Sequence, residues 1–75
     1  MIKLLKHDTA LKPFYIALSS DMRFHALYGD ISVGTSNSIG GAIDAIPNKH
    51  LYGPPNNAMD WERLFPDASM TNQYA

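Results

Sequence analysis

The stretch Arg23-Phe24-His25-Ala26-Leu27-Tyr28-Gly29-Asp30-Ile31-Ser32-Val33 decides how this chain is read. Phe24, Ala26 and Tyr28 alternate with His25 and Leu27, which is the two-residue period of a strand with two different faces. Ile31 and Val33 resume the alternation beyond Gly29-Asp30. A type II′ turn requires a positive φ at its first central residue, and glycine adopts one without steric cost, so Gly29-Asp30 reads as the tip of a β-hairpin.

Working back towards the N-terminus, Pro13 to Ser19 is rich in aromatic and branched residues and is closed by Ser19, Ser20 and Asp21, which is a buried-strand pattern. Met1 to Lys6 fits a strand or a helical turn, with strand preferred. Lys12 before Pro13 is biased towards extended backbone, and Asp8 and Thr9 offer turn oxygens. The first half therefore predicts an antiparallel meander of three or four strands.

Working forward, Ser36-Asn37-Ser38 presents three capping side chains ahead of Ile39, Ala42, Ile43 and Ile46, whose spacing is one face of a helix. Gly40 and Gly41 each cost about 1 kcal/mol relative to Ala, so this helix forms only if its isoleucines pack on the sheet. After Pro47 the chain is dense in Asn, Gly and Pro. Gly53-Pro54-Pro55 favours polyproline geometry, and Asn57 is placed to cap a short helix from Ala58 to Phe65. The expected fold class is α+β: a small antiparallel β-meander with one or two short helices and an extended C-terminal arm. Residues 1–46 form the β-rich body and 47–75 the arm.

With 75 residues the chain has room for one small domain, and a core of that size rarely supplies more than about 3–5 kcal/mol. It has no cysteine, which excludes disulfides, thiolate metal sites and a cysteine nucleophile. Charged residues are only 17% of the chain, so less of its surface than usual is held in water by ionised groups. The net charge of −1 gives no electrostatic reason to expect a nucleic acid or an acidic membrane as partner. The longest apolar run, Phe14 to Leu18, is too short to span a bilayer, and Lys3 and Lys6 interrupt the only segment where a signal peptide would lie. The expected location is therefore the cytoplasm or a virus particle.

Catalytic patterns are sought and not found. His7, His25 and His50 share no helix or strand face, so no metal site and no cofactor is expected; His25 reads as a strand residue and the other two as residues of polar turns. Gly34 to Gly41 fails the nucleophile-elbow pattern at Ser38 and lacks the lysine of a phosphate loop, leaving a strand exit followed by a helix cap. Asp60 and Glu62 point to different sides of a helix and cannot act as a carboxylate pair. The chain is not expected to be an enzyme.

The candidate interaction residues are the large apolar side chains of the arm, Tyr52, Trp61, Leu64, Phe65 and Tyr74, since aromatic anchors lose much apolar area on docking and freeze few torsions. An irregular stretch of about ten residues reaches roughly 33 Å, far enough to lie across a neighbour. Low charge, many Asn, Gly, Ser and Pro, and a small β-rich body resemble in composition the minor proteins of virus particles, especially bacteriophages. The expected partners are proteins, either copies of this chain or other subunits of an assembly. A small inhibitor that blocks one larger host protein is the alternative expectation.

Overall fold

The structure is a computed structural model and describes residues 1–48 and 53–64. Gly29 takes φ +63° at the tip of a tight hairpin, and the two flanking runs of alternating residues become β3 (Phe24–Tyr28) and β4 (Ile31–Ser36). β2 (Phe14–Leu18) pairs antiparallel with β3, and β1 (Ile2–His7) pairs antiparallel with β2. A fifth strand, β5 (Glu62–Arg63), returns from the C-terminal part to pair with β1, giving the sheet order β4-β3-β2-β1-β5. With one α-helix and one 3-10 turn, the fold is α+β.

The pleat sorts the strand residues onto two faces. Phe14, Ile16 and Ala26 point to the same side as Leu5, where α1 (Ile39–Asp44) covers them with Ala42, Ile43 and Ile46. Ile16 and Ile43 are completely buried, which offsets the poor helix propensity of Gly40-Gly41. Ser38 caps α1 by accepting a hydrogen bond from the Gly41 N–H at 3.0 Å, as the serine cluster before the helix predicts. Gly34 has a steric reason to be glycine: a Cβ there would meet the Ala45 Cβ at 2.7 Å and the Ala45 carbonyl oxygen at 2.9 Å. The missing side chain lets the end of α1 lie directly on β4.

Beyond Pro47 the structure differs from the expected helix over Ala58 to Phe65. Asn57 does cap a turn, accepting from the Met59 N–H at 3.0 Å, but that turn is 3-10 and spans only Ala58–Asp60. Trp61 then leaves it in extended conformation (φ −91°, ψ 150°) and β5 begins. Two interactions outcompete another helical turn here. The Trp61 indole N–H donates to the Pro55 carbonyl at 2.9 Å, and the Leu64 N–H donates to the Leu4 carbonyl at 3.0 Å on the edge of β1. An isolated helix of two turns is marginal in water, whereas a buried indole and a ladder of strand hydrogen bonds are not.

Residues 53–64 thus fold onto the body. Trp61 is 4% exposed and belongs to the same cluster as Leu5, Phe14, Ile16 and Ile43, and Pro54 is also buried. His7, expected in a polar turn, is instead the last residue of β1, with its ring centroid 5.7 Å from that of Trp61. His50 lies outside the described residues.

Candidate functional site

Among the five residues expected to anchor a partner, Trp61 is buried in the chain's own core and Leu64 is half-buried beside β1. Tyr52, Phe65 and Tyr74 lie outside the described residues. The structure assembles its most organised polar surface elsewhere, on the sheet face opposite α1 and along β4.

That outer face carries Lys3 and Lys6 from β1, Tyr15 and Ala17 from β2, His25 and Leu27 from β3, and Ser32 and Thr35 from β4, which the register places side by side. Ala17 and Leu27 are buried although they stand apart from the main core, so the larger polar side chains around them screen a thin second apolar layer. The Lys3 ammonium lies 4.2 Å from the centre of the Tyr15 ring and 3.6 Å from the carboxylate of Asp30 at the hairpin tip. Asp8, 3.4 Å from the Lys6 ammonium, holds that group above the usual lysine range.

Next to this diagonal, His25 bridges two hydroxyls, with Nε2 3.2 Å from Ser19 Oγ and Nδ1 3.4 Å from Ser32 Oγ. The Ser19 hydroxyl donates to Asp21, whose carboxylate is held below the usual aspartate range by that bond first and by the Arg23 backbone N–H as well. The Ser19 hydroxyl also lies 3.0 Å from the Arg23 carbonyl, so its proton has two oxygen acceptors within the turn. These bonds tie the β2–β3 turn together, with Ser19, Asp21 and Arg23 bonded to one another and His25 reaching Ser19 from β3. Arg23 extends the network, donating from Nη1 to Asn37 Oδ1 at 3.0 Å and from Nη2 to Thr35 Oγ1 at 3.2 Å.

The same register exposes the backbone of β4. The Gly29 N–H donates to the Pro13 carbonyl at 2.8 Å, and the Ser19 N–H donates to the Arg23 carbonyl at 2.9 Å, so odd-numbered residues of β3 turn their peptide groups towards β2. His25 and Leu27 belong to that set, and their partners across the ladder are Thr35 and Ser32. Ser32 and Thr35 therefore turn their own N–H and C=O groups away from β3, to the side of the sheet where no further strand stands among the described residues. Val33, the extra residue where the register shifts, keeps both in the same phase although they are three apart.

Among the described residues, β4 also lacks the usual protections of an edge. Ile31 to Ser36 contains no Lys, Arg, Asp, Glu or Pro, and Ile31 is 61% exposed. The opposite edge carries Glu62 and Arg63. The sequence contains the signal, a six-residue uncharged run after the hairpin tip, but its position at the sheet edge depends on β5 pairing with β1.

The described surface also contains concavities. One of about 280 Å³ lies at the end of the sheet between Met1, Ile2, Leu18 and Met22, and one of about 130 Å³ lies between Phe14, Tyr28, Val33 and Ile46. No protein-family model, no curated protein and no solved structure matches the chain.

Proposed function

We propose that the protein is a non-enzymatic structural or adaptor subunit of a larger protein assembly, with a bacteriophage particle as the setting its composition favours. The observation that carries this reading is the β4 edge. It is an uncharged strand with outward-facing peptide groups at Ser32 and Thr35, backed by the end of α1 at Gly34 and bonded through Thr35 to Arg23. An edge that no described residue covers invites strand addition, a recognition mode in which backbone hydrogen bonds supply affinity and flanking side chains supply selectivity. The partner is a protein, and of the anchors expected in the arm Trp61 is committed to the chain's own core.

That commitment also supports a second reading. A chain whose own arm completes its core is suited to act alone, as a small inhibitor bound to one larger protein. Sedimentation of native material distinguishes the two. An assembly subunit travels with a particle far heavier than 8.3 kDa at a fixed copy number. A chain found only free or in a one-to-one complex refutes the assembly reading and supports the inhibitor.

A further inference from the structure

We propose that β4 pairs antiparallel with β4 of a second copy of this chain, joining two sheets across a two-fold axis between Val33 and Gly34. This rests on the reading of the β4 edge as a protein-binding edge, and it names the partner.

Three observations converge on a second copy. First, Ser32 and Thr35 both direct their peptide groups outward and their side chains to the same face. Setting Ser32 of one copy opposite Thr35 of the other satisfies both sets of groups at once, and the two-fold axis repeats the match. A pairing centred on either neighbouring residue would set one of them against a residue whose peptide groups turn inward. Second, β4 carries no charge, so self-pairing opposes no like charges along its length.

Third, the ends of the strand are complementary. In this register Asp30 of one copy lies opposite Asn37 of the other, and Asn37 Oδ1 already holds the Arg23 guanidinium at 3.0 Å. The Asp30 side chain is 96% exposed and leans towards the outer face, where Lys3 approaches it and where Arg23 also bonds Thr35. Each dimer would thus bring two carboxylate and guanidinium pairs together on one face, one at each end of the paired strands.

Six paired residues a side form a contact well below the standard interface of roughly 1,600 Å², so the expected affinity is modest, of the order of tens of micromolar. The test is light scattering of the full chain from about 10 μM to 1 mM, with Asp30→Arg and Arg23→Glu variants measured alone and mixed. The parent should approach twice the chain mass of 8.3 kDa as concentration rises. Either variant alone should dissociate by more than about tenfold, because like charges then meet at both ends. The equimolar mixture should recover the dimer, since each new charge faces its opposite.

Far-ultraviolet circular dichroism and the emission of the single tryptophan establish that each variant is folded. A parent that stays monomeric to 1 mM overturns the proposal without any variant. A parent dimer indifferent to both variants, or a mixture of folded variants that stays monomeric, also overturns it. If the parent is monomeric yet sediments in a native particle, only the self-pairing fails. If it dimerises but never enters a larger assembly, the assembly reading fails and the β4 pairing stands.

Discussion

Replacing Trp61 with Ala should unfold this protein, although the residue follows the proline-rich segment. The indole is 4% exposed, packs in a cluster with Leu5, Phe14, Ile16, Ala42, Ile43 and Ile46, and donates its N–H to the Pro55 carbonyl at 2.9 Å. Truncating a buried Trp to Ala costs about 3–5 kcal/mol from lost transfer energy and the cavity left behind. The Pro55 carbonyl also loses its partner. A core of this size supplies roughly the same 3–5 kcal/mol in total, so the variant should have little or no folded population. Urea titration of parent and Trp61→Ala by far-ultraviolet circular dichroism measures the effect. In the parent, the emission of the single tryptophan should shift to longer wavelength in the same transition. A variant that retains a cooperative transition at the parent midpoint would show that the segment after Pro47 is dispensable, and the argument for Trp61 as a core residue would fail.

Gly29→Val should destabilise the chain by at least about 1 kcal/mol in the same titration, because Gly29 sits at φ +63° and its Cβ position lies 3.2 Å from the Lys12 side chain. Met22→Gly should stabilise it by about 0.5–1 kcal/mol, since Met22 holds φ 67° while 70% exposed and relief of that strain exceeds the entropy cost of glycine; an unchanged or lower midpoint would contradict this. Ser19→Ala should raise the Asp21 pKa towards the ordinary aspartate value in an NMR titration. The sign follows from the depressed native value: the contribution of this bond is present above the unfolded-state pKa and is lost as pH falls through the folded-state one.

Much of the body was legible because its signals are local. Gly29-Asp30 announces its own turn, the alternation of Phe24 to Tyr28 sets the faces of β3, and Ser38 with Ile39, Ala42, Ile43 and Ile46 marks a capped amphipathic helix. The segment 58–64 misleads because Trp61 and Leu64 fit a helical spacing as well as they fit a strand reached through one turn. The choice is made by the Leu4 carbonyl and the Pro55 carbonyl, distant in sequence or reached only once the chain has bent.

The site was harder to read for the same reason. Attention falls on aromatic residues, yet aromatics are also what a small core needs most, and Trp61 went there. The β4 edge is defined by hydrogen bonds that face outward, a property set by the phase of the β2–β3 ladder and the bulge at Val33. Met22 in left-handed backbone is equally silent in sequence, since methionine gives no hint of positive φ.

The most direct test of the account is amide hydrogen exchange at Ser32 and Thr35, read residue by residue as the concentration of the parent chain is raised. Their N–H groups face away from β3, where no described strand pairs with them, so at low concentration they should exchange rapidly while Leu27 and His25 in the adjacent strand stay protected. As copies pair, Ser32 and Thr35 should become protected together, with the same concentration dependence as the mass. Exchange at these two amides that is slow in the monomer, or equally fast at every concentration, would contradict it.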